Sequence, residues 1–399
     1  MNKFILVTGL VTALVVAASG ASWSAETGQT QKIETGAKAA VVTDAKGASG
    51  TTAAVMGEPA RIEVAFVLDT TGSMGGLIDG AKRRIWGIAD EIRKAHPNAE
   101  IRMGLVGYRD RGDAYVTKKT DLTSDISAVY GELIGFQAQG GGDWPESVNE
   151  ALSVAVNGLA WTRTPDTRRI VFLVGDAPPH MDYPQDVPFT DTLKIAEREG
   201  VIVDALQCGD AKDTELAWKT IAQLGHGRWV RIPQEGGVVQ ISTPWDEKIL
   251  KIQIELNKTV VPYGSLKRQS DVRKKAEVQS AAPAPAASDM AGYAMRAPVA
   301  AERKVVTGEG DLVADAIAEK VDAGKIARDE LPEELRGLSS ADVKAAIAAK
   351  AATRQTLQGE LEGLVKQRDA HIAAEKAGRP AGRDGFDGVV EELVREQTR

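Results

Sequence analysis

From about Arg61 onward, short apolar runs alternate with stretches of helical periodicity. The runs "IEVAFVLD" (62–69), "IRMGLVGYRD" (101–110), "RIVFLVGD" (169–176), "VIVDALQCGD" (201–210) and "GRWVRI" (227–232) predict strands. Segments opening near Ser73, Ser124, Pro145, Thr190, Asp213 and Thr243 predict helices between and after them. Strands that alternate with helices imply a doubly wound α/β fold, its mostly parallel sheet covered on both faces. Three runs finish at or near an aspartate: Asp69, Asp110 and Asp176. In open α/β sheets the carboxyl edge of the strands is where ligands bind.

The flanks follow other patterns. "MNKFILVTGLVTALVVAASGASWSAE" has a lysine, an apolar core and then small residues, the layout of a secretory signal over residues 1–25, cleaved after Ala21 or within 22–25. The expectation is a periplasmic or secreted protein with no membrane insertion after cleavage; an uncleaved anchor is the alternative. Residues 26–58 read as a flexible leader, 59–265 as the α/β domain and 266–305, Ala/Pro-rich, as a linker. Residues 306–399 predict a helical region. Within it, "SSADVKAAIAAKAATRQTLQGELEGLVKQRDAHIAAE" opens with Ser339 and Asp342 in capping-box spacing. Val343, Ile347, Leu357, Leu361, Leu364 and Ile372 are spaced like one helix face, which suggests a helical hairpin or weak coiled coil able to oligomerise; an ordinary solvated helix is the alternative.

Composition narrows the partners. A hydrophobic content of 43% is enough for a packed core, and a net charge of −7 supplies no basic field for nucleic acid. The single cysteine, Cys208, lies in an apolar run and reads as a buried structural thiol.

The chemistry concentrates in "VLDTTGSMGG" (67–76). A phosphate-binding loop fails because Ala81 stands where the lysine should follow Gly80. A serine nucleophile elbow fails because Thr71 replaces the first glycine around Ser73. An aspartyl-phosphate site of the dehalogenase-like kind needs an acid two residues after Asp69, and that residue is Thr71. A hard-cation site fits: Asp69, Thr71 and Ser73 alternate as oxygen donors, with Thr70 and Gly72 allowing the chain to bend them toward one point.

"VLDTTGSM" resembles the D-x-S/T-x-S signature of the metal-ion-dependent adhesion site in von Willebrand factor type A (VWA) domains. "RIVFLVGDAPPH" resembles that family's later strand with its third-loop aspartate, Asp176, and "GGGDWPESVNEAL" resembles its second metal loop, in the version of bacterial members and of alpha-kinase relatives. The resemblance covers roughly residues 60–260 and implies a six-stranded, largely parallel sheet flanked by helices, with a cation at its carboxyl edge.

Carried over by position, Thr71 and Ser73 coordinate directly, and Asp69 and Asp176 ligate or hold bound waters. The ion is Mg²⁺ in the first place, Mn²⁺ or Ca²⁺ otherwise. An acidic side chain of a partner protein would complete its coordination. In the second loop a threonine is usual; here Asp143 takes its place, with Ser147 as the alternative hydroxyl. Three carboxylates around a divalent ion leave a site of about −1, better at holding metal and poorer at attracting a further carboxylate. The implied function is protein–protein interaction or adhesion, without enzymatic activity. The alternatives are a metal-dependent hydrolase or kinase-like enzyme, and an assembly protein whose tail does the work around a purely structural metal. "RGD" (111–113) is a polar loop after the second strand, and Trp144 and His180 flank the metal edge, where each reads as loop packing before ligand contact.

Overall fold

β1 (Arg61–Asp69) is a nine-residue strand, buried from Ile62 to its end, because both of its faces are covered by helices. The structure, a computed structural model, describes residues 59–378 and 385–399, so the predicted signal and leader lie outside the described residues. After β1 come α1 (Gly75–Ala95), β2 (Glu100–Tyr108), β3 (Thr117–Thr123), α2 (Ile126–Ile134), α3 (Val148–Gly158), β4 (Thr167–Gly175), α4 (Phe189–Glu199), β5 (Val201–Cys208), α5 (Lys212–Leu224), β6 (His226–Ile232) and α6 (Asp246–Lys258). The sheet runs β3-β2-β1-β4-β5-β6, parallel throughout except for β2 against β3. The chain leaves β1 for β2 on one side and resumes with β4 on the other. The strand order therefore reverses beside the carboxyl end of β1.

Five of the six strands coincide with the apolar runs. β3, "TKKTDLT", is the exception, an antiparallel edge strand whose Lys118 and Lys119 face solvent. β3 buries only Leu122, so it carries no apolar run, and its lysines discourage pairing of this sheet edge with another chain.

The C-terminal third departs from the expected linker and separate helical region. Residues 266–305 carry α7 (Leu266–Ser280) and α8 (Ala284–Met295), and α8 is buried along most of its length. The alanines that suggested a linker let this helix lie close to α1, where Trp86 meets Tyr293 edge to face at 5.6 Å. After two short helices, α9 (Leu312–Ile317) and α10 (Glu333–Arg336), comes α11 (Ser340–Gly378), a helix of 39 residues. Its predicted stripe faces its own chain: Val343 and Ile347 pack with Val261 and Leu312, and Leu361 and Leu364 with Ile249, Leu256 and Met295. α12 (Phe386–Gln397) closes the fold by inserting Phe386, Val389, Val390, Leu393 and Val394 into the core beneath one face of the sheet, beside Phe66 and Phe172. Each such side chain contributes about 1.5–3 kcal/mol by leaving water. The opposite face is covered by α3, α4 and α5. The described residues accordingly cluster as one unit.

Candidate metal centre

The carboxyl ends of β1 and β4 lie side by side, with Leu68 in register with Val174. That register brings Asp69, the last residue of β1, and Asp176, the first after β4, to the same edge. Gly175 is required between them, because a Cβ there would stand 2.4 Å from the Tyr108 hydroxyl and 3.0 Å from Asp69 Cβ.

Asp69 is fully buried, and its Oδ1 accepts the Thr71 backbone N–H at 2.8 Å and the Thr71 hydroxyl at 2.7 Å. By giving its proton to Asp69, Thr71 Oγ1 turns its lone pairs outward. Ser73 Oγ lies 3.4 Å from it. Asp176 is held by Gln234, whose Nε2 donates to Oδ2 at 2.7 Å. Asp69 Oδ2 is buried without a hydrogen-bond partner. Burial, with the Asp176 charge adding to it, pushes the Asp69 carboxyl up to about 7.

The second loop is fastened to the first through its backbone. Gln139 N–H donates to the Thr70 carbonyl at 3.1 Å, and Gly72 N–H to that of Gly140 at 3.2 Å. Gly140 and Gly141 adopt φ near +82° and +81°, a left-handed conformation that glycine takes without strain. A Cβ on Gly141 would stand 3.2 Å from Thr71 Cβ and 3.1 Å from Glu146 Oε1, so the loop is threaded between those two side chains.

Glu146 was missed in the sequence, where an acid just before a helix reads as an ordinary helix-start residue. Its carboxyl is buried, its Oε2 has no hydrogen-bond partner, and burial together with the charges of Asp69, Asp110, Asp113 and Asp176 pushes it up to about 9. Gln234 was also missed, because it comes from beyond β6 and nothing in its own neighbourhood marks it.

Asp143 departs from the expected position. It is not grouped with Asp69 and Asp176. Its Oδ2 lies 3.5 Å from His180 Nε2, and its ligand oxygen, that of Asp110 and a ring nitrogen of His180 all fall within 4.8 Å of one another, a spacing a metal ion could bridge. The reason is the bend after Asp143. Glu146 forms a parallel bridge with Pro179 and sets its carboxyl among the charges of Asp69, Asp110, Asp113 and Asp176, while Asp143 is left facing His180. Ser147, the alternative hydroxyl, donates to Asp110 Oδ1 at 2.9 Å. The structure thus gathers Asp69, Thr71, Ser73 and Asp176, with the buried Glu146 carboxyl close enough to feel the charges of both aspartates.

The weaker candidates are accounted for by packing. Arg111 pairs with Asp186, and Asp113 accepts the Gly141 N–H at 3.0 Å, so the "RGD" stretch braces the loops. Trp144 donates to Asp213 at 2.5 Å and remains 46% exposed. Cys208 is buried and its thiol is pushed up by burial, as befits a structural residue.

Four oxygen-bearing side chains thus converge where the strand order reverses, in a part of the chain that resembles known proteins. The family model described as "von Willebrand factor A domain" matches residues 63–222. The chain carries a VWA domain. Von Willebrand factor A domain-containing protein 7 of Rattus norvegicus is 36% identical over 136 residues, which are 34% of this chain and 14% of that protein. Its counterpart in Homo sapiens is 37% identical over 93 residues, 23% of this chain and 10% of that protein. Alpha-protein kinase vwkA of Dictyostelium discoideum is 28% identical over 123 residues, 30% of this chain and 19% of that protein. The chain spans less than a fifth of the length of each of these relatives. VWA domains mediate protein–protein interaction and often bind divalent cations. The donor set at Asp69, Thr71, Ser73 and Asp176 suits a hard cation, which would compensate the charge and the unpaired oxygen that burial leaves there.

Proposed function

We propose that this chain is an extracytoplasmic binding protein whose VWA domain holds a divalent cation in the manner of a metal-ion-dependent adhesion site and presents it to an oxygen donor of a partner protein. The observation that carries this proposal is the pair of buried carboxylate oxygens, Asp69 Oδ2 and Glu146 Oε2, left without hydrogen-bond partners at the sheet edge. A buried unpaired acceptor costs about 1–3 kcal/mol, and an ion there repays that cost. The all-oxygen set favours Mg²⁺, with Mn²⁺ or Ca²⁺ as substitutes. Thr71 and Ser73 would bind it directly, with Asp69, Asp176 and Glu146 ligating or holding its waters.

Charge selects the partner's donor. Three carboxyl groups, all ionised around a divalent ion, leave about −1, which disfavours an incoming carboxylate and favours an amide or hydroxyl oxygen. Trp144 and Met181, 46% and 62% exposed on the two loops beside the edge, offer apolar surface for the rest of the contact.

A binding role is preferred to an enzymatic one because the match over residues 63–222 is to the VWA domain, and VWA domains mediate protein–protein interaction. The extracytoplasmic location is supported by the signal-like layout of residues 1–25.

The test is a crosslinking pull-down from the native envelope with the full chain, run with Mg²⁺ and with EDTA. Partners should be captured with Mg²⁺ and lost with EDTA or in Asp69→Ala. Capture that ignores both treatments refutes the metal-dependent role.

A further inference from the structure

We propose a second metal site, beside the Asp69 edge but sharing none of its ligands, in which His180 Nε2, Asp110 and Asp143 bind a first-row ion of the Zn²⁺ class. Three observations combine. His180 is 6% exposed, and its Nε2 is buried without a hydrogen-bond partner while aimed at the two carboxylates. Nε2 lies 3.5 Å from Asp110 Oδ2 and 3.5 Å from Asp143 Oδ2, too far for good hydrogen bonds. Ligands bound at about 2.0–2.1 Å in a tetrahedron stand roughly 3.3–3.4 Å apart, so the two histidine–carboxylate distances are close to coordination edges, and all three ligand atoms fall within 4.8 Å of one another.

The surrounding residues already hold His180 and Asp110 in place. His180 Nδ1 pairs with Asp182 Oδ1 at 2.8 Å, the carboxylate–histidine arrangement that leaves the other ring nitrogen as the metal ligand. The imidazole stacks on Tyr183 with centroids 4.1 Å apart, and the backbone N–H of His180 donates to the Glu146 carbonyl at 3.0 Å. Asp110 accepts the Ser147 hydroxyl on Oδ1 and the Tyr183 hydroxyl on Oδ2, at 2.9 and 2.8 Å. Asp143, 58% exposed in its side chain, is the ligand on the solvent side, where water would complete the shell.

Donor chemistry distinguishes the two sites. The Asp69 edge offers oxygen alone and suits a hard ion, whereas an imidazole with two carboxylates suits a borderline first-row ion. The proposal does not rest on the Asp69 reading, and the variants below separate the two.

The experiment titrates the full chain with Co²⁺ and Zn²⁺ in excess Mg²⁺, following the cobalt absorption band and its displacement by zinc. One equivalent of Co²⁺ should bind with a visible band. Asp143→Asn should weaken binding at least tenfold, and His180→Gln should abolish it. Asp182→Asn should cost about tenfold by releasing the ring. Asp69→Asn should leave the band unchanged while removing Mg²⁺-dependent behaviour. Because Asp143 is exposed, its variant keeps the test valid should His180→Gln fold poorly. Absence of cobalt binding, affinity unchanged in Asp143→Asn, or loss of the band in Asp69→Asn overturns the proposal.

Discussion

Gln397 donates its amide Nε2 to both carboxylate oxygens of Asp204, at 2.9 Å each, tying the last helix of the chain to the fifth strand of the sheet. Asp204 is fully buried, and burial pushes its carboxyl up to about 6, against 3.8 for an ordinary aspartate. The folded chain therefore binds this proton more tightly than the unfolded chain. Stability contributed here is present below about pH 4 and is lost as pH rises through about 6, by a total of order 1–3 kcal/mol. Asp204→Asn should remove that dependence and raise stability at pH 7 by about 1–2 kcal/mol. The new amide can keep the Arg228 N–H as donor and give its own N–H to Gln397 Oε1, which lacks a partner at present. Urea unfolding of both proteins between pH 4 and 8 checks this.

Removing the tail should unfold the VWA domain. Phe386 is 1% exposed and lies 6.0 Å, centroid to centroid, from Phe66 of the central strand. Phe386→Ala should cost about 3–5 kcal/mol, and a chain ending at residue 305 should expose the sheet face and bind a hydrophobic dye. A truncated chain that melts cooperatively near the wild-type temperature would show that the domain stands alone.

Arg354 and Asp311 form an ion pair at 2.7 Å, with side chains 1% and 4% exposed, which joins α11 to α9. Arg354→Ala would strand Asp311 in the core and should destabilise by about 3–5 kcal/mol. Adding Asp311→Asn removes the stranded charge while keeping an acceptor for the Val261 and Val313 N–H groups, and should recover part of that loss. Thermal unfolding of the single and double variants measures both effects.

Metal binding should stabilise the fold by mass action, about 2.7 kcal/mol when Mg²⁺ is at a hundred times its Kd. Thr71→Val keeps the side-chain shape and removes the hydroxyl, so the Mg²⁺-dependent rise in melting temperature should disappear while the EDTA-treated protein melts within a few degrees of wild type.

Glu146→Gln tests the charge at the same edge. It lowers the negative charge there by one, so a carboxylate-bearing partner or acetate should compete more strongly for the bound ion. The check is Mg²⁺-dependent capture with and without acetate. Equal competition in both proteins would mean that Glu146 stays protonated around the ion.

Much of this protein was legible along the chain because its strands are buried on both faces. "IEVAFVLD" and "RIVFLVGD" could be recognised without partners, and each run carried its edge aspartate with it. Asp69, Thr71 and Ser73 were also readable, since three donors in five residues converge through local geometry alone. β3 was not readable, because this edge strand buries only Leu122 and carries no apolar run.

Other features depended on contacts between distant segments. Asp143 and Glu146 are three residues apart in one loop, and which of them sits among the charges of Asp69 and Asp176 depends on the bridge from Glu146 to Pro179. Alanine-rich stretches are equally compatible with a linker and with a close-packed helix; only the presence of α1 beside Ala286 and Met290 decided for the helix. By itself the sequence determined five of the sheet's six strands, its acidic edge and the hydroxyl-bearing first loop, because local periodicity and spacing encode those. The tertiary structure decided the second loop's ligand and the fate of the C-terminal helices, because burial and charge at those positions are set by residues distant in the chain, Pro179 and Asp69 for Glu146 and the residues of α1 for α8.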